Sequence, residues 1–101
     1  MCGIAGAVAR PGHTAPPAWL ETVAHCLAHR GPDDFGFLQW SDGQGARVGR
    51  ELDRGPCRVG LAHRRLAILD LTELAWQPMS SADGRHHLVY NGEIYTYVEL
   101  R

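Results

Sequence analysis

The sequence predicts an α+β domain, on three observations. Short apolar or alternating runs are set apart by glycine and proline turn signals, one stretch repeats its apolar residues at helical spacing, and most runs follow one another without an intervening helix. At 101 residues, 45% hydrophobic and 21% charged, the chain is globular in composition. A chain of this size buries roughly two thirds of its unfolded surface, which leaves little stability in reserve.

The elements follow in order. Residues 2–9 (CGIAGAVA) form a small, apolar run that reads as a buried strand, ended by Arg10-Pro11-Gly12. Thr14 precedes Pro16 and Pro17 at a helix start, and Trp19, Leu20, Val23, Ala24 and Leu27 recur on one face, with Glu21, Thr22, His25 and His29 facing away. Gly31-Pro32 stops this helix. Phe35–Trp40, Val48–Leu52 and Arg58–Leu66 are strands separated by Asp42-Gly43, Gly45 and Gly55-Pro56. Ile68–Leu71 continues apolar, Trp76–Ser81 with Pro78 is loop, and His86–Tyr90 is a further strand. From Leu88 to Val98 two local rules conflict. Asn91-Gly92 between β-rich residues is a hairpin signal, while Ile94, Tyr97, Val98 and Arg101 fit one helix face, with Glu93 near its positive end.

Composition excludes whole classes of chemistry. The ten basic residues are all arginine, so no Schiff-base, P-loop or desolvated lysine is available. A net charge of -1 with scattered arginines gives no footprint for nucleic acid or an anionic membrane. No apolar run approaches the ~20 residues of a membrane span, and Met1-Cys2-Gly3-Ile4 lacks the features of a signal peptide, so a cytoplasmic protein is expected. Cys2, Cys26 and Cys57 fit neither a disulfide framework nor a C-x-x-C site, and Cys26 and Cys57 are expected to pack as small hydrophobes. His25 and His29 lie four apart, but Cys26 stands where a His-Glu-x-x-His metal site would carry glutamate; exposed helix histidines are the expected reading.

Cys2 calls for separate treatment. Removal of Met1 would leave a thiol and a free α-amine on one residue. That amine, with a reference pKa of about 7.7–8.0, is partly unprotonated near neutrality and can take the thiol proton. Nucleophile and base then share a residue. A thioester-forming nucleophile also needs oxyanion donors, for which the Asn91 amide and the Gly92 N–H are candidates. An amino-acid substrate needs a fork for its carboxylate and an anion for its ammonium, for which Arg65 and Glu93 are candidates. Locally the same residues could be a packing cysteine, a turn and two solvated charges.

Five segments occur in one order: Met1-Cys2-Gly3-Ile4-Ala5-Gly6, His29-Arg30-Gly31-Pro32-Asp33-Asp34-x-Gly36, His63-Arg64-Arg65-Leu66-Ala67-Ile68-Leu69-Asp70, Gln77-Pro78-Met79 and Asn91-Gly92-Glu93-Ile94-Tyr95. Together they resemble the glutaminase domain of glutamine-hydrolysing asparagine synthetases, among the class II glutamine amidotransferases. Arg30-Gly31-Pro32-Asp33 points to this branch rather than the hexosamine-forming one, which typically has tyrosine for the proline. Thr96, commonly Asn in the family, and Ala75-Trp76 depart from the pattern without touching an assigned role.

The resemblance implies an N-terminal-nucleophile hydrolase αββα sandwich, of which residues 1–101 form the N-terminal part. It implies that Cys2 attacks the glutamine carboxamide, that Asn91 and Gly92 form the oxyanion hole, and that Arg65 and Glu93 hold the substrate carboxylate and ammonium. It also implies a helix after Asn91-Gly92, overriding the hairpin, and a structural role for Arg30–Asp33. The partners implied are glutamine and a synthetase domain or subunit that accepts ammonia to make asparagine from aspartate. No cofactor is expected here; ATP and magnesium belong to that synthetase domain, absent from these residues. The alternative is an inactive truncated remnant or assembly piece of an amidotransferase acting on another carboxylate.

Overall fold

The computed structural model describes residues 2–66 and 76–92. Its elements are β1 (Gly3–Val8), α1 (Pro17–Cys26), β2 (Asp34–Ser41), β3 (Gly45–Gly49), β4 (Val59–Arg65), β5 (Met79–Ser80) and β6 (His87–Leu88). The main sheet has the order β1-β4-β2-β3 with every neighbour antiparallel, and β5 and β6 form a separate two-stranded ladder. The α+β expectation is met.

α1 begins as its sequence dictates. Pro16 is the extended N-cap and Pro17 opens the first turn, where a missing N–H costs nothing. It ends at Cys26, earlier than the Gly31-Pro32 stop. His29 bonds with the Cys26 carbonyl at 3.1 Å, its Nδ1–H donating to an acceptor left over at the helix end. The helix lies across the face of β1 and β4 that carries Gly3, Ala5, Gly60 and Ala62. Close approach explains the small residues: a Cβ on Gly60 would stand 2.6 Å from Leu20 Cδ1. Leu20, Ala24, Phe37, Cys57 and Ala62 form the core beneath it, with Ala5 and Leu52 packed alongside. Full burial of Leu20, only 1% exposed, contributes about 1.5–3 kcal/mol.

Several expectations shift. The apolar stripe of α1 is centred on Leu20 and Ala24, so Trp19 at its margin is 40% exposed. Cys57 is fully buried as expected, but Cys26 is exposed, because the last helical turn carries it off that stripe. β3 covers residues 45–49 rather than 48–52: the tight turn at 42–44 pairs Ser41 with Gly45 at once, and Arg50 leaves the ladder to bond Asp34. Met79–Ser80, expected as loop, pairs with His87–Leu88, closed by a turn in which Ser81 N–H donates to His86 O. The strand predicted over His86–Tyr90 is shortened because side chains, not a ladder, take the backbone groups of Tyr90. Ile68–Leu71 lies outside the described residues.

Candidate active site

β-strand alternation divides the main sheet into the face under α1 and the opposite face. Cys2, Ile4 and Gly6 of the first strand share the latter with Leu61, His63 and Arg65 of β4 and with Asp34, Gly36 and Leu38 of β2. Extending the register Gly3↔Arg64 by one residue places Cys2 opposite Arg65 at one end of this face. Two sequence-predicted residues, far apart in the chain, are thereby neighbours.

Cys2 is half-buried at the mouth of the sheet. The Leu66 N–H donates to its Sγ at 3.4 Å, and the thiol lies 4.0 Å from the Leu66 carbonyl oxygen. Its backbone is held as well: Arg30 Nε–H donates to the Cys2 carbonyl at 3.2 Å. The loop carrying Arg30 is fastened to β4, since Asp33 N–H donates to Arg65 O at 3.0 Å and Arg64 Nε–H to Gly31 O at 2.9 Å. The His-Arg-Gly-Pro-Asp segment thus ties the end of α1 to the cysteine and to the arginine-bearing strand.

Arg65 is 8% exposed and pairs across the ladder with Asp34. Asp34 gives its two oxygens to Arg50, at 3.0 and 2.9 Å, and that bond chiefly holds its carboxyl below the usual range. Arg50 also lies over the Trp76 ring, 5.1 Å from its centroid.

The segment bearing Asn91-Gly92 crosses the same face. Trp76 Nε1–H donates to Phe35 O at 2.9 Å, Tyr90 N–H to Gln77 Oε1 at 2.6 Å, and Tyr90 O meets His63 Nε2 at 3.3 Å. A type I′ hairpin turn needs positive φ at both central residues. Among the described residues only glycines have positive φ, so Asn91 does not form one. The helix expected after Gly92, Glu93 as the expected substrate contact, and the initiator Met1 lie outside the described residues.

Two further side chains, His63 and Gln77, bond the backbone of Tyr90 beside Asn91 and were not among the predicted site residues. Both stand in the family segments, but neither was given a role there. His63 is 1% exposed, and because a carbonyl can only accept, its ring carries a proton on Nε2 toward Tyr90. Burial chiefly pushes its pKa below 6.5; Arg65 acts in the same sense, while the Tyr90 carbonyl and Asp34 oppose. A depressed folded-state value means that the unfolded chain takes the proton first. This contribution to stability is therefore complete above about pH 6.5 and is lost as the pH falls below it, with a slope of at most about 1.4 kcal/mol per pH unit. Urea midpoints measured from pH 8 to 5 should decline accordingly, and His63→Gln should flatten the decline.

A cleft of about 630 Å³ opens between α1 and residues 50–54, but it lies toward the helix-covered face, and neither Cys2, Arg65, Asn91 nor Gly92 lines it. Among the described residues no group of three His, Cys, Asp or Glu side chains is arranged to hold a metal ion.

The sequence model of the glutamine amidotransferase domain matches residues 1–101. The chain belongs to that family. An amidase, chry2, of Gibberella zeae is 37% identical over 96% of this chain and 14% of its own length. A putative glutamine-hydrolysing asparagine synthetase of Mycobacterium tuberculosis is 36% identical over 100% of this chain and 15% of its own. Glutamine-hydrolysing asparagine synthetase 1 of Bacillus subtilis is 33% identical over 100% of this chain and 14% of its own. This glutamine amidotransferase domain is thus homologous to the glutaminase part of asparagine synthetases, and it spans about one seventh of these relatives. No solved structure gives a significant match. No described helix is long and apolar enough to cross a membrane.

Proposed function

We propose that this domain hydrolyses glutamine to glutamate and ammonia through a thioester on Cys2, within an N-terminal-nucleophile hydrolase fold, and that the ammonia serves asparagine formation from aspartate by a synthetase domain or subunit. The observation that carries this reading is the pairing of Cys2, its sulfur held by the Leu66 N–H, with Arg65 at the same end of the same sheet face. It occurs in a chain matched to the family from residue 1 to residue 101.

With Met1 removed, the α-amine of Cys2 takes the thiol proton and Sγ attacks the carboxamide carbon. The oxygen becomes an oxyanion held by the Asn91 amide and the Gly92 N–H. As the C–N bond breaks, the ammonium that formed on the α-amine returns a proton to the nitrogen, which leaves as ammonia. Water then attacks the thioester, restoring the thiol and releasing glutamate. Arg65 grips the substrate carboxylate and Glu93 its ammonium, so the reacting carbon is delivered in one orientation.

Ammonia release from glutamine by the purified chain, with intact mass measured in parallel, tests the reading. The expected result is glutamine-dependent ammonia and a mass lacking Met1; a folded chain that keeps Met1 or releases no ammonia would reject it. Arg65→Lys should raise KM for glutamine about tenfold and Arg65→Met about a hundredfold, because a bidentate charge-assisted pair contributes about 1.5–3 kcal/mol. Equal KM values across the three proteins would remove Arg65 from the substrate site.

A further inference from the structure

We propose that His63 and Gln77 are positioning residues that together clamp the backbone of Tyr90 and so set the oxyanion donors Asn91 and Gly92; this rests on the glutaminase reading. Oxyanion donors act only when they stand 2.7–3.1 Å from where the charge develops, so the segment carrying them must be rigid. Among the described residues β5 and β6 pair only with each other, and no ladder joins them to the main sheet. Side-chain-to-backbone bonds do the anchoring seen among these residues. Both backbone groups of the residue just before Asn91 are held: Tyr90 N–H by Gln77 Oε1 at 2.6 Å, and Tyr90 O by the Nε2–H of His63 at 3.3 Å.

The two anchors are themselves fixed. His63 is 1% exposed in β4, opposite Ile4 on one side and Gly36 on the other, two residues from Arg65 on the same face. Gln77 lies against β2, its carbonyl so close to Gly36 that a Cβ there would stand 2.1 Å away. The neighbouring Trp76 is bonded to Phe35 O. Cys2 is thus held by Leu66, the residue that follows β4, and the oxyanion donors by His63 within β4, so this strand and its first continuing residue set nucleophile and oxyanion hole in a common frame.

The test uses the full chain and two pairs of variants. His63→Leu and Gln77→Met remove the clamp; His63→Gln keeps an amide donor and Gln77→Glu an acceptor. The first of each pair should lower kcat for glutamine at least tenfold with KM changed less than threefold, and the second should recover most of the loss. Amide hydrogen exchange should quicken at least tenfold at Tyr90 and Gly92 in His63→Leu and Gln77→Met, while Leu61 and Ala62 stay protected. Unchanged kcat and exchange, or equal loss in both members of a pair, would overturn the clamp. If the unaltered chain shows no Cys2-dependent hydrolysis, the glutaminase reading fails, and exchange at Tyr90 and Gly92 alone decides for or against the clamp. Should His63→Leu not fold, Gln77→Met carries the comparison.

Discussion

Cys2→Ala is expected to lower ammonia release from glutamine at least about a thousandfold, because it removes the proposed nucleophile and the other two cysteines lie elsewhere. Cys57 is fully buried in the core under α1, and Cys26 is exposed at the end of that helix, so neither can substitute. Folding should survive the change. The β1–β4 register begins at Gly3↔Arg64, and the bonds lost among the described residues are two weak sulfur contacts, one with the Leu66 N–H and one with its carbonyl oxygen. The thermal midpoint should therefore shift by no more than about 2 °C while activity disappears. Cys2→Ser is the sharper comparison, since it keeps an acceptor for the Leu66 N–H but offers a far weaker nucleophile. Equal rates for Cys2 and Cys2→Ala proteins would show that the ammonia comes from other chemistry.

Gly36→Ala should lower stability by about 3 kcal/mol or more. The added Cβ would meet the Gln77 carbonyl oxygen at 2.1 Å and the Trp76 ring at 2.5 Å. The first obstacle is backbone, which cannot rotate aside as a side chain would, so the cost sits at the upper end of overpacking. In a domain of this size such a loss lowers the thermal midpoint by at least about 10 °C and takes a large share of the total stability. It should also displace the segment that carries Gln77 and Tyr90, so activity is expected to fall even at temperatures where the variant remains folded. Calorimetry alongside glutamine hydrolysis at low temperature checks both parts. A variant with an unchanged midpoint would mean that residues 76–77 do not lie on β2.

Legibility followed the range of the interactions. β1, β2, β4 and the start of α1 could be read from apolar runs and from Pro16-Pro17, because burial on one face and a proline-compatible first turn are recorded within a few residues. β3 was misplaced by three residues, since the turn at Asp42–Gln44 rather than apolar content sets its start. β5 carries no pattern at all; Met79 and Ser80 are paired only because the turn beyond them returns His87 and Leu88. At Asn91-Gly92 the hairpin signal is strong locally and is overruled by φ at Asn91.

The site divides in the same way. Cys2, Arg65, Asn91 and Gly92 were accessible because their chemical types and motif order carry information in the chain itself. His63 and Gln77 stand in two of the same segments but were assigned no role: one lies in a predicted strand, the other in a predicted loop. Their parts depend on which backbone groups lie within reach.

By itself, then, the sequence determined the α+β class, the family and the candidate nucleophile, because periodicity, turn residues and motif order are properties of neighbours along the chain. Only the tertiary structure decided that Cys2 stands opposite Arg65, that Arg30 secures the Cys2 carbonyl, and that Tyr90 is held between His63 and Gln77. Those contacts join residues 13 to 63 positions apart, and strand register and the need to satisfy backbone polar groups select among such partners where no local pattern can.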